Sequence, residues 1–236
     1  MSSADRPNGR GRDRDLTRVA FHQQLDALRG DVVAMGSMVE KAIARATAAL
    51  TQRDPAAARR VIAGDETINA QRWGIEDDAA RLIAMQAPLA GDLRAIVAAI
   101  HIGTDLERMG DHAAGIAKLA IDIAGEPPVK PLVDLPRMAD LTREMLGAGL
   151  AAYMDADADA ARVVAARDDD VDDLYNQIYR ELLTYMMADP TTIDPATRLL
   201  WVAHNYERLA DRVTNICERV VYVATSRIEE INVSRR

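Results

Sequence analysis

The chain has 236 residues, room for one large domain or two small ones that each bury a core. It is 49% hydrophobic and 28% charged, with 4% aromatics and a single Phe, which is the profile of a soluble globular protein poor in strand formers. The net charge of −8 argues against nucleic acid as a partner, because phosphate backbones call for a basic field. The lone Cys217 excludes an internal disulfide and any cysteine-based zinc or iron–sulfur site within one chain, and it points to a reducing compartment. With 42 alanines, the best helix formers, the composition favours an all-helical fold.

Residues 1–18 alternate Arg and Asp, lack the apolar run of a secretory signal, and are expected to form a disordered tail. From about Thr17 to Arg53, Leu25, Leu28, Val32, Met35 and Val39 recur at three- and four-residue spacing, which predicts the first helix. Asp54-Pro55 combines an N-cap with proline at the first helical position and opens a second helix that runs to about Gln86. Ala87-Pro88 breaks the chain before a third helix from about Leu89 to Ala124. The segment from Gly125 to Pro136 holds four prolines, cannot be regular helix, and reads as the domain boundary. A fourth helix is predicted from about Pro136 to Met154 and a fifth from Ala156 to Ala188. Asp194-Pro195 is expected to cap the sixth as Asp54-Pro55 caps the second. No stretch approaches 18 uncharged apolar residues, so no helix is expected to span a membrane.

The two halves repeat each other. Ala58-Val61-Asp65-Ile68 in helix two becomes Ala161-Val164-Asp168-Val171 in helix five at a shift of 103. Helix one matches helix four at that same shift, and helix three matches helix six at a shift of 100. The expected fold class is therefore all-α: two tandem antiparallel three-helix bundles related by internal duplication. They cover residues 19–126 and 137–232, with 127–136 as a Pro-rich linker.

The polar residues that recur point to function. Glu107/Asp111 and Glu207/Asp211 each place two carboxylates one turn apart on a helix face, a like-charge arrangement that needs a neutralising partner. In an antiparallel hairpin, Asp65 and Asn69 stand level with the first pair, and Asp168 and Asp172 with the second. The partner is either a hard cation such as Mg²⁺, Mn²⁺, Ca²⁺ or iron, or the adjacent Arg108 and Arg208 in interhelical ion pairs. Ala99, Gly103, Gly110, Ala113 and Ala117 smooth one side of helix three, which suits close packing inside the bundle.

Glu107-Arg108-Met109-Gly110-Asp111-His112-Ala113 and Glu207-Arg208-Leu209-Ala210-Asp211 resemble the paired motifs of the PhoU family of phosphate-responsive regulators. So do Leu93-Arg94 and Leu183-Thr184-Tyr185-Met186-Met187, and the resemblance extends from about Phe21 to Ile231. It implies two three-helix bundles with surface clusters of divalent or trivalent metal (iron, Mn, Mg or Zn). These would be held by Asp65, Asn69, Glu107 and Asp111 in one half and Asp168, Asp172, Glu207 and Asp211 in the other. It further implies a cytoplasmic homodimer working beside the ATPase of a phosphate ABC transporter and a sensor histidine kinase. Its contact with the membrane would be through those partners only, and it would restrain phosphate uptake and the phosphate-starvation response. Asn69 stands where a carboxylate would complete the first site, and Gly115 replaces Asn215 of the second, so the second site is expected to be the fuller one.

An enzyme is not expected. The chain has no Glu-x-x-His pair for a di-iron bundle, no P-loop, no G-x-G-x-x-G and no nucleophile elbow, and its four histidines are scattered. The remaining alternative is a helical adaptor outside phosphate control, with or without metal. Trp73 and Trp201 are expected to pack in the core rather than anchor a partner, as are Tyr175, Tyr179, Tyr185, Met186 and Met187. Cys217 reads as a buried small hydrophobe, and no backbone nest for an anion is evident.

Overall fold

The computed structural model describes residues 9–86 and 88–231, and among them there is no strand. Seven α-helices are present. The first half holds α1 (Gly9–Gln52), α2 (Pro55–Gln86) and α3 (Ala90–Ile123); the second holds α4 (Asp134–Asp155), α5 (Ala158–Ala165), α6 (Asp168–Ala188) and α7 (Ile193–Thr225). Each half is an antiparallel bundle, with α5 and α6 together filling the place that α2 fills in the first.

The duplication is visible at the level of single hydrogen bonds. Asp54 accepts from the N–H groups of Ala56 and Ala57 at 2.9 and 3.0 Å, satisfying donors that the first turn of α2 leaves unpaired. Asp157 does the same for Asp159 and Ala160 at 3.0 and 2.9 Å. The residue before each cap, Arg53 or Ala156, takes the left-handed conformation at φ 54° and 50° to turn the chain.

The structure departs from the sequence expectation in three places. α1 begins at Gly9, inside the stretch expected to be a disordered tail; residues 1–8 lie outside the described residues. The fifth helix is two, parted at Ala166 and Arg167. The cause is the run Asp168-Asp169-Asp170, which fits the positive pole of a new helix N-terminus better than a helix interior. Asp194 is not a cap, since α7 opens at Ile193 with no side-chain cap. Asp189 instead accepts from the Thr191 N–H at 2.9 Å and closes a short 3-10 turn, Pro190–Thr192.

One continuous apolar core runs through both bundles. The halves meet where α3 lies along α7 and α1 crosses α4. At the second crossing a Cβ on Gly36 would come within 2.1 Å of a Leu150 methyl, so only glycine fits without a shift. Tyr206 on α7 is fully buried and its hydroxyl donates to Thr47 Oγ1 of α1 at 2.7 Å, while Thr47 donates to the Ile43 carbonyl at 2.8 Å. Burial pushes the Tyr206 phenol well above its ordinary range, so it stays a neutral donor. Tyr206→Phe should lower stability by about 1 kcal/mol in urea denaturation, the usual value of one buried hydrogen bond. An unchanged midpoint would show that this bond does not help join the halves.

Candidate functional site

On the first bundle, Asp65 and Asn69 stand one turn apart on α2 and face α3. Gly110 makes the approach possible: a Cβ there would sit 2.9 Å from Asp65 Oδ1 and 3.2 Å from Ile68. The Asp65 carboxyl is raised above its ordinary value by burial and then by the Asp111 charge. Glu107 is raised in the same way, by burial and then by Asp111, with a smaller push from Asp65 against the pull of Arg72 and Arg108. The four expected residues therefore share one patch across the α2/α3 seam. Asn69 Nδ2 donates to Asp65 Oδ2 at 3.4 Å, leaving Oδ1 of both residues shielded from solvent without a donor among the described residues. Orphaned acceptors beside unbalanced negative charge are what a hard cation would relieve.

The second patch has a different balance. Asp168 is buried at the first position of α6, and Asp172 is raised by burial and then by Asp211, Asp169 and Asp173. Glu207 Oε2 lies 3.3 Å from His204 Nδ1, and the His204 ring stands edge-on to Trp201 and 6.3 Å from Tyr175. Burial, followed by the Arg208 charge, holds His204 below its ordinary value. Arg208 pairs with Asp211 at 2.8 Å, so here the arginine supplies part of the neutralisation. Arg108 forms no such pair among the described residues; Arg72, which with Arg108 acts on Glu107, bridges Glu76 at 2.6 Å and lies over the Trp73 ring, and Lys118 acts on Asp65. Among the described residues, no three His, Cys, Asp or Glu side chains converge on one point as a ready-made cage.

Several polar residues outside the expected set prove to join the bundles. Asp105 on α3 meets Arg212 and Asn215 of α7, both at 3.4 Å. Seven residues further along α3, His112 Nδ1 donates to Asn205 Oδ1 at 2.9 Å, while Asn205 Nδ2 is held by the Trp201 carbonyl. Asp105 and Asn205 are repeat mates, as are His112 and Arg212, so the seam carries one contact twice. Asn215 thus serves the seam, which corrects its expected place as a further oxygen ligand. Gly115, its counterpart, leaves room for Asn205, whose Oδ1 would lie 3.2 Å from a Cβ there. The shift of 100 that relates these residues was the signal available in the sequence.

Two further expectations are corrected. Trp73 and Trp201 are 62% and 55% exposed, so neither packs in the core. Tyr179, Tyr185 and Met187 also reach solvent, because α6 buries only the stripe Val171-Leu174-Ile178-Leu182. The smooth side of α3 does face the interior: Ala99, Gly103, Gly110, Ala113 and Ala117 are all buried. Cys217 is buried as expected, and burial pushes its thiol up to about 12, which removes it as a nucleophile at neutral pH.

These features define a tandem-repeat helical-bundle protein with two acidic faces, polar seams and exposed aromatic side chains. The PhoU domain description matches residues 32–120 and 135–220, one match per bundle. The phosphate-specific transport system accessory protein PhoU homolog of Caulobacter vibrioides is 42% identical over 217 residues, covering 92% of this chain and 94% of that protein. The corresponding protein of Clostridium acetobutylicum is 38% identical over 92% of this chain and all of its own length. The crystal structure of PhoU from Pseudomonas aeruginosa matches with a TM-score of 0.83 at 35% identity, covering 88% of this chain and 100% of that one. The chain belongs to the PhoU family. Its relatives are named as accessory and regulatory proteins, not as enzymes.

The raised carboxyls carry a sign for stability. A folded carboxyl titrating above its unfolded value holds its proton while the unfolded chain has released it, so stability falls as pH rises through that window and the deficit persists above it. Asp65→Asn should therefore raise the melting temperature at pH 7 in the presence of a chelator and weaken the gain seen on mild acidification. A lower melting temperature in the variant under those conditions would show that Asp65 is neutralised within the protein.

Proposed function

We propose that this protein restrains phosphate uptake and the phosphate-starvation response when phosphate is plentiful. It would act in the cytoplasm, as a homodimeric adaptor between the ATPase of a phosphate ABC transporter and a sensor histidine kinase. The observation that carries this reading is full-length similarity, at 42% and 38% identity, to proteins named as accessories of the phosphate-specific transport system. It fits a chain in which no described helix is long and apolar enough to cross a membrane, so that contact with a transporter would pass through exposed protein surface. Trp73, Trp201 and Tyr179 are the side chains suited to such contacts, being aromatic, exposed and set on rigid helices.

Metal would bind at the two acidic faces. Asp65, Asn69, Glu107 and Asp111 would hold it on the first, and Asp168, Asp172, Glu207 and Asp211 on the second, with iron, Mn²⁺, Mg²⁺ or Zn²⁺ as the ion class. A bound ion would supply positive charge and fasten α2 to α3 and α6 to α7. The Asn69 amide supports a weaker first site, and the fourth carboxylate, Asp172, a fuller second one. The Arg208–Asp211 ion pair favours a second reading for that face, in which the arginine alone does the neutralising and the adaptor works without metal there.

The test is a phosphate-starvation reporter such as alkaline phosphatase, read in phosphate-rich medium after deletion of the gene and any paralogue. High activity that returns to low with the wild-type gene is the expected result. Low activity with unchanged phosphate uptake would remove the phosphate role and leave a helical adaptor of another system.

A further inference from the structure

Beside the first acidic face, where Ile68 packs with Asp65 against Gly110, α1 and α2 line a groove of about 230 Å³. Lys41 and Arg45 stand one turn apart on its α1 wall, and Arg60 stands on its α2 wall. None of the three forms an ion pair with a described residue, in a chain whose net charge is −8. Elsewhere on the protein Arg72, Arg81, Arg143, Arg162, Arg167 and Lys130 hold carboxylates, whereas Arg108 and Lys118, like these three, form no ion pair among the described residues. The groove floor is apolar, formed by Met38, Val61 and Ile68, and Thr67 adds a hydroxyl at one end. Gly64 borders the groove, and a Cβ there would meet nothing within 4 Å. An exposed glycine in the middle of a long helix weakens that helix, so an alanine would be the better choice if only folding mattered.

The duplication supplies an internal comparison. At the shift of 103, Lys41 corresponds to Glu144 and Gly64 to Arg167, and those two residues join in an ion pair at 2.7 Å across the equivalent position. Arg45 corresponds to Ala148 and Arg60 to Val163. One copy of the groove is thus bridged and stripped of its other cations, while the other keeps three positive side chains that form no ion pair with a described residue, Arg60 acting only at longer range on the Asp54 carboxylate. The second half packs α4 against α5 and α6 without these three cations, with Arg167 at the break between α5 and α6 where Gly64 lies inside the unbroken α2.

We propose that this groove binds a small oligophosphate anion, a ligand carrying two or more linked phosphate groups. Lys41 and Arg45 spring from Cβ atoms about 5–6 Å apart on α1 and share the groove with a third cation on α2, which suits a chain of phosphates better than one tetrahedral ion. Guanidinium groups take phosphate oxygens in pairs, and the lysine adds a point charge. The apolar floor accepts whatever organic group such a ligand bears. This site goes beyond the regulatory reading and is tested without it.

Full-length protein is titrated calorimetrically with tripolyphosphate, ATP, inorganic phosphate and sulfate at constant ionic strength. Saturable binding of tripolyphosphate or ATP at one site per chain is expected, with inorganic phosphate and sulfate at least about tenfold weaker, a gap of one decade in Kd. Lys41→Glu combined with Gly64→Arg transplants the ion pair of the second copy and should abolish binding while the melting temperature holds. Arg45→Ala alone should weaken binding by about tenfold, which keeps the test decisive if the double variant folds poorly. Three results would each overturn the proposal: no saturable binding, equal binding by inorganic phosphate, or unchanged binding in Arg45→Ala. An acidic peptide that saturates the groove while tripolyphosphate does not would overturn it as well.

Discussion

The antiparallel contact of α3 with α7 is the constraint on which the rest of the molecule rests. Each helix is the central member of its own bundle, so joining them joins two cores into one. Apolar packing alone tolerates sliding, because one small or aliphatic side chain substitutes readily for another along a smooth helix. Asp105 with Arg212, and His112 with Asn205, remove that freedom: a slip of one turn would leave a half-buried carboxylate and an imidazole unpartnered. Burial raises the Asp105 carboxyl, with Asn215 and Arg212 opposing the shift, and it lowers His112. The repeat thus fixes its own register by making the same contact from each side.

That register sets where the acidic faces fall. α3 and α7 each present a Glu and an Asp one turn apart, and both helices are pinned along one side by the seam, so the carboxylates point toward α2 and α6. The two faces differ in ways that follow from single residues. Asn69 and Arg72 temper the negative charge of the first; Asp172 and Tyr175 replace them in the second, where Arg208 takes over part of the task. Copies that began alike have diverged in charge balance and in the break between α5 and α6, while keeping the bundle layout and the Asp54 and Asp157 caps. The α1/α2 groove shows the same divergence on the outer surface.

Much of this was legible in the sequence because the signals were periodic. Helix positions came from apolar spacing and from Pro punctuation, and the duplication from constant offsets, both of which survive without knowledge of tertiary contacts. Asp65, Asn69, Glu107 and Asp111 share one patch and Asp172 lies within reach of the Asp211 charge, because carboxylates one turn apart on a helix are neighbours wherever that helix packs. Exposure was harder to read. Trp73 and Trp201 were assigned to the core on residue type alone, but burial is decided by which face a neighbouring helix covers, and that is a tertiary fact. The break between α5 and α6 was hidden for a related reason. Asp168-Asp169-Asp170 continues the helical pattern on paper, and only the charge at a helix terminus explains why the chain starts afresh there. Asn215 was misread because a polar side chain beside a carboxylate motif looks the same whether it faces a metal or a second bundle.

The most direct test of the central claim, that the two carboxylate faces are seats for metal, is a metal analysis of the purified protein. It is run beside a variant carrying Asp65→Asn, Glu107→Gln, Asp168→Asn and Glu207→Gln. The expected result is bound iron, Mn²⁺, Mg²⁺ or Zn²⁺ in the wild type, a melting temperature that falls on chelation and recovers when metal is restored, and neither behaviour in the variant. A metal-free wild type whose melting temperature ignores added metal would contradict the claim and leave the arginines to balance these faces alone.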